Sequence, residues 1–310
     1  MPSEVYLSRS EGHYEGVKRV LGLADKVLRK AGTARQVVVK VNFVSAYREL
    51  CATPVGAVRA VIEALSKHYG GTIIVAERPA QGSLIEALRN YGYLALKELY
   101  DVEFVDIGRD DYEVFEVWDS NLDKTVKIRV SKTMLDADYL VSVVRPKTHD
   151  TVVVTLTIKN VVVGAVHPGY RGLLHQGYKA INLSIAYLAR HLMPSLAVVD
   201  GYVGMEGDGP IGGSPKKLGV AVVGEDPVAV DSLVALLMGF NPKNIGYLYY
   251  LSQWGLGFMA PNRVRVVGVE DWKSMVSRFK PHRTYFDQLG WRLRAEEEVK
   301  VLRSLRFLSF

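Results

Sequence analysis

The chain has 310 residues, 48% of them hydrophobic and 23% charged, a balance that suits a packed globular protein and excludes disordered, collagenous and fibrous classes. A formal charge of +6 and a pI of about 9.2 suit an anionic partner, either a small anionic metabolite or a nucleic acid such as RNA. The single cysteine, Cys51, excludes an intrachain disulfide and cannot supply the set of thiolates an iron–sulfur cluster takes.

In chain order, the N-terminus shows no apolar run behind a basic start, so no secretory leader is expected and the cytoplasm is the default location. Val37 to Val44 (VVVKVNFV) is continuous and β-branched, as in a strand buried on both faces of a parallel sheet. Thr53 and Pro54 then read as the cap and first position of a helix that ends at Gly70 and Gly71. Thr72 to Glu77 and Val102 to Ile107 add strands with a helical segment between them, so the first part reads as a doubly wound α/β unit. Its ligand edge lies at the strand ends carrying Asn42 and Glu77.

From Tyr112 to Val130 the residues alternate around a turn-rich centre, the pattern of an antiparallel hairpin. A strand from Tyr139 to Val144 follows. The apolar stretch Val152 to Val166 is broken by threonines, Lys159 and Asn160 and is shorter than the roughly 20 residues that cross a bilayer, so no membrane span is expected. A helix from about Tyr178 to His191, a strand at Leu196 to Asp200, a glycine-rich loop, and a strand at Leu218 to Val223 come next. A helix capped by Asp226 with Pro227 at its first position follows, and Arg292 to Phe307 reads as an amphipathic, solvated helix.

Three clusters carry candidate chemistry. Arg145 to His149 (RPKTH) places cations and an imidazole at a strand end, where Lys147 can hold a carboxylate or phosphate while His149 moves a proton. Lys159 interrupts an apolar run, which costs desolvation energy and makes a shifted pKa or a covalent role expected; Asn160 follows as a donor. His167 and His175 lie just beyond, and with His149 they form a candidate set for a divalent metal. Third, Gly204, Gly207 and Gly209 let the backbone approach a ligand, while Asp200, Glu206 and Asp208 offer acceptors for a cation or hydroxyl. Pro210 and Pro215 prevent the helix that a dinucleotide fingerprint would open, no G-x-x-x-x-G-K-[ST] is present, and no G-x-S-x-G elbow supports a serine triad.

The segments KVNFVSAYRELCATPVGAVRAVIEAL, DADYLVSVVRPKTHDTVVVTLTIKNVVVGAVHPG, VVDGYVGMEGDGPIGGSP and GEDPVAVDSLVALLMGF, in this order, resemble the domain-of-unknown-function 362 (DUF362) family over roughly Val37 to Leu256. Some members of that family carry ferredoxin-type cysteine motifs; this chain has none. The layout is also loosely similar to the nickel-dependent lactate racemase family, in which an anion-binding α/β lobe faces a second lobe bearing histidines and a lysine. The expectation is an α/β protein with a doubly wound, mostly parallel N-terminal lobe (1–130), a mixed α/β second lobe (131–270) and a helical tail (271–310). A cleft between the lobes would bind a small anion. Lys147 and Lys159 would fix it, His149 and Lys159 would do the chemistry, and Asn42, Asn160, Asp200, Glu206, Asp208 and the glycine backbone would complete the site. An isomerase, racemase or transferase leads, with a non-catalytic RNA-binding protein as the alternative.

Overall fold

The computed structural model describes residues 2–304. Its strands are β1 (Ser3–Arg9), β2 (Val37–Lys40), β3 (Ile73–Glu77), β4 (Val102–Asp106), β5 (Tyr112–Trp118), β6 (Thr125–Ser131), β7 (Tyr139–Val144), β8 (Lys147–Thr148), β9 (Val154–Thr155), β10 (Leu196–Glu206), β11 (Ser214–Gly224) and β12 (Val264–Val267). The longer helices are α1 (His13–Leu23), α2 (Val55–Leu65), α3 (Leu84–Asn90), α4 (Thr157–Gly164), α5 (Tyr178–Leu192), α6 (Pro227–Leu237), α7 (Gly246–Gln253) and α8 (Ala295–Ser304).

One sheet runs β12-β1-β11-β10-β7-β2-β3-β4, with β8 and β9 attached beside β10, and the hairpin of β5 and β6 stands apart. The five strands from β10 to β4 are parallel, whereas β11 runs antiparallel to both β10 and β1. The sheet is continuous across the expected lobe boundary at 130/131, because β2 from the first half pairs directly with β7 from the second. The N-terminal β1, to which the sequence reading assigned no strand, lies between β11 and β12.

Alternation along the strands builds two cores. Val38, Leu140, Val199 and Val222 face the side covered by α4, α5 and α6, and Val39, Val141, Val198 and Val223 face the side covered by α1 and α2. Nearly unbroken runs of buried aliphatic residues are what strands covered on both faces require. The hairpin matches its expected span, and α6 has the expected cap: the Asp226 side chain accepts from Ala229 N, with Pro227 in the first turn. The part of the expected C-terminal helix at 305–307 lies outside the described residues.

Two expectations change. Thr53 does not cap α2, whose cap position is taken by Pro54. Buried Thr53 has better partners: its Oγ1 accepts from Asn42 N at 3.0 Å and donates to Val143 O at 2.9 Å, tying the ends of β2 and β7 together. The expected glycine-rich loop is mostly strand, since β10 continues through Glu206 and pairs with β11 after a bulge at Gly201 to Val203. Glycine is needed here for close packing. A Cβ at Gly209 would lie 2.2 Å from Thr148 O, and one at Gly204 would lie 2.8 Å from Pro146 O.

Candidate functional site

Chain direction reverses at β2. From β2 the chain moves outward to β3 and β4, then returns through the hairpin to place β7 on the other side of β2. In open α/β sheets such a switch point leaves a crevice beyond the carboxyl ends of the strands. A cleft of about 270 Å³ occupies that position, lined among others by Lys40, Asn42, Glu77, Arg78, His149, Asp150, Lys159, Asn160, Arg171 and His175, with Pro210 and Ile211 from the turn between β10 and β11.

Its floor is a buried polar network. Lys40 Nζ sits 2.6 Å from Glu77 Oε2 and donates to Val41 O at 2.6 Å, with both side chains almost fully buried. The same carboxylate accepts from Phe43 N at 3.0 Å and Arg78 N at 2.7 Å, so Glu77 fixes the exits of β2 and β3 at once. Asn160 Nδ2 donates to Ser142 Oγ and Lys40 O, while its Oδ1 accepts from Asn42 Nδ2 at 3.1 Å. Gly164 makes room for the lysine: a Cβ there would meet Lys40 Cε at 2.5 Å.

Lys159 and Asn160 are held by α4, whose first turn is anchored from outside. Buried Asp231 on α6 accepts from Thr157 N, Thr157 Oγ1 and Ile158 N at 2.6–3.0 Å, and burial pushes its carboxyl up to about 7. Lys159 Nζ lies 3.0 Å from His149 Nε2. On the other side of the ring, His149 Nδ1 is 3.0 Å from Asp150 Oδ1 and 3.1 Å from Thr151 N. Burial and the neighbouring lysine push His149 down to about 3, and burial, with Arg171 and Lys40 nearby, lowers Lys159 to about 8.

Two proton arrangements each satisfy part of these contacts. With its proton on Nδ1, His149 donates to Asp150 and accepts from the Lys159 ammonium. With its proton on Nε2, it accepts from Thr151 N–H and donates to a neutral Lys159 amine. Passing from one to the other carries a proton from the buried amine through the imidazole toward Asp150, whose side chain is 52% exposed.

Arg171 completes the rim. Its guanidinium donates to the carbonyls of Val166, Arg78 and Gly164 at 2.9–3.1 Å, and burial lowers its pKa. Lys40 answers Glu77 and Arg78 answers Asp106 at 2.9 Å, whereas the nearest charge favouring the Lys159 ammonium is that of Asp150, beyond the His149 ring. Arg78 Nε and Asn42 Oδ1 are buried and have no hydrogen-bond partner among the described residues.

Of the residues expected from sequence, His149, Lys159, Asn160, Asn42 and His175 meet at this cleft, whereas Lys147, Asp200, Gly204, Glu206, Gly207, Asp208, Gly209 and His167 do not line it. Lys147 is fully buried and donates to Cys51 O at 2.9 Å; burial and Arg145 lower it to about 7. Asp200 is paired with His13 Nδ1 at 2.6 Å. Glu206 accepts from Lys280 N at 2.9 Å, and Asp208 pairs with Arg283 at 2.6 Å, so both pin the C-terminal segment. The N–H groups of Gly207 and Gly209 are used by Lys280 O and Gly207 O.

The expected three-histidine metal set is not assembled. His149 and His175 rings lie 6.4 Å apart, but His167 packs against Tyr112 of the hairpin, 5.5 Å between centroids. Among the described residues, no group of three or more His, Cys, Asp and Glu is placed to hold a metal ion. Sequence reasoning gave no site role to Lys40, Arg78, Asp150 or Arg171. Lys40 carried the same signal as Lys159, a lysine within an apolar run.

The profile described as "Domain of unknown function (DUF362)" matches residues 37–235. The chain belongs to the DUF362 family. Every residue lining the cleft falls inside the matched region. This DUF362 protein is 25% identical over 249 residues to a thylakoid-associated protein of Synechocystis sp., covering 77% of this chain and 75% of the relative. Its fold is similar to the lactate racemase apoprotein of Thermoanaerobacterium thermosaccharolyticum, with 14% identity, TM-score 0.43, and 66% of this chain and 51% of that one covered. It is also similar to a structural-genomics target from Thermotoga maritima, with 13% identity, TM-score 0.40, and 63% and 52% covered. The chain thus spans about half the length of these solved structures. No helix among the described residues is long and apolar enough to cross a membrane.

Proposed function

We propose that this DUF362 protein is an enzyme that binds a small anionic metabolite in the cleft at the β2/β7 switch point and moves a proton on it with the Lys159–His149 pair. The observation that carries this reading is the 3.0 Å contact between a buried lysine and a buried imidazole, in a cleft where the hydrogen-bond partners of Arg171 among the described residues are all carbonyls. At ~30 Å³ per water-sized group, 270 Å³ admits a ligand of about nine heavy atoms, the scale of a short carboxylic acid or phosphate ester. Arg171 and Lys159 supply charge for the anion, and the His149–Asp150 side carries the proton to solvent.

Thermal-shift and calorimetric titration against small carboxylates and phosphate esters tests it. A subset should bind with shallow salt dependence, and Lys159→Met should weaken that binding by about tenfold or more, the loss of one charge-assisted hydrogen bond. If none of these anions binds, while single-stranded RNA binds with a steep salt dependence that survives Lys159→Met, the chain is a nucleic-acid binder and the metabolite reading is wrong.

A further inference from the structure

The molecule buries three lysines near the carboxyl ends of its strands, and their partners differ. Lys40 is neutralised by Glu77 at 2.6 Å. Lys147 is turned away from the cleft onto Cys51 O. Lys159 alone of the three both lines the cleft and, among the described residues, has no carboxylate within ion-pair distance; its close polar partner is His149 Nε2. It also stands in the first turn of α4, where the helix dipole disfavours a cation. These surroundings favour a neutral amine, and a neutral buried amine open to a ligand cleft is a nucleophile.

We infer that Lys159 forms an imine with a small anionic aldehyde or ketone held in the cleft, so that the substrate class is the short oxo acids and their phosphorylated counterparts. This rests on the anion-binding reading above and adds the covalent step to it. The Lys159 ammonium first gives one proton through His149 to the Asp150 side; the Nζ lone pair then attacks the carbonyl carbon, a C–N bond forms, and the carbonyl oxygen becomes a hydroxyl by taking that proton back. His149 Nε2 receives the proton lost from nitrogen and returns it to that hydroxyl, which departs as water when the C=N bond forms. Overall, a carbonyl compound and the Lys159 ammonium give a protonated imine and water, with no oxidant or reductant consumed. The lowered pKa of Lys159 keeps a useful fraction of the amine free near neutral pH.

The test uses the full wild-type chain with pyruvate and sodium borohydride, in which borohydride is oxidised as its hydride reduces the imine to a stable secondary amine. Propionate serves as the carbonyl-free control, and peptide mass mapping locates the adduct. The expected result is one reduced pyruvate adduct on the peptide holding Lys159, a labelling rate that rises through about pH 8, no adduct with propionate, and none at that position in Lys159→Arg. Adducts confined to exposed lysines such as Lys26, with Lys159 unmodified, would overturn the inference. If propionate and pyruvate raise the melting temperature yet Lys159 stays unlabelled, the imine is rejected and the anion site stands. If neither anion shifts melting and no adduct forms, both readings fall.

Discussion

Gln288→Ala tests whether the C-terminal segment, which lies outside the family-matched region, holds the candidate catalytic pair in place. His149 opens a tight turn that closes at Val153, whose φ of +67° is costly for a β-branched side chain, about 1–2 kcal/mol. Two bonds hold that conformation: His149 N donates to Val153 O at 2.9 Å, and Val153 N donates to Gln288 Oε1 at 2.5 Å. Gln288, only 1% exposed, also donates to His149 O at 2.8 Å. Truncation strands one buried N–H and one buried carbonyl at about 1–3 kcal/mol each, so a total loss of about 2–4 kcal/mol is expected after partial relaxation. The turn should then relax toward negative φ and draw His149 away from Lys159. Urea denaturation measures the first effect, and the pH dependence of Lys159 acylation measures the second, with its midpoint moving up from about 8 toward the ordinary lysine value as water enters. A loss below about 0.5 kcal/mol, or an unchanged Lys159 profile, would refute the strap argument.

Lys40→Met should cost about 3–5 kcal/mol in urea denaturation, because Glu77 would remain as a buried charge, and adding Glu77→Gln should recover part of that loss. Gly209→Ala should cost more than 2 kcal/mol in thermal or chemical melts, since its Cβ would strike Thr148 O, about the scale of an overpacked core; Gly172→Ala, with open space around it, should be neutral within about 0.5 kcal/mol. The folded chain holds the Lys147 and Lys159 protons less tightly, to about 7 and about 8, whereas the unfolded chain keeps them to the ordinary lysine value of about 10.5. Between pH 7 and 10 the unfolded state therefore binds more protons, and stability should rise with pH by up to about 1.4 kcal/mol per pH unit for each proton. Urea midpoints at pH 7, 8 and 9 check this, and Lys147→Met should flatten the rise.

The fold was legible wherever a local rule decided an element. The aliphatic runs of β2, β3 and β7, the alternating hairpin, and the Asp226–Pro227 start of α6 all follow from patterns within a few residues. What escaped depends on contacts between distant segments. β1 earns its place by pairing with residues 220–224 and 264–267, which nothing near Ser3 announces. Lys147 and His149 are two apart, so a continuing strand would put both on one face; β8 stops at Thr148, and the turn sends the two side chains to different partners. His167 was grouped with His149 by nearness in sequence, but Val166 pairs with Val130 and carries it to the hairpin. Arg171 stands inside HPGYRGLLHQG with no local signal that sets it apart, because its role comes from the carbonyls of Arg78, Gly164 and Val166 that fold around it.

The cleft and the segments next to it hold features that a sequence optimised only for stability would avoid: buried Lys40 and Lys159 in its lining, buried Lys147 outside it, a left-handed Val153 in the turn that His149 opens, and, among the described residues, polar atoms without partners. Such local conflicts cluster at functional sites because the surrounding structure can hold them there. The lysines nevertheless divide by role. Lys40, with Glu77, fixes the exits of β2 and β3, and Lys147 ties β8 to the segment before α2, so both brace the scaffold. Lys159 braces nothing comparable, since its close polar partner among the described residues is an imidazole that is itself held neutral by burial. A lysine kept buried with no carboxylate in ion-pair distance among the described residues, opening on a cleft and joined through an imidazole to a half-exposed Asp150, carries a cost that packing does not explain and that the proposed chemistry would.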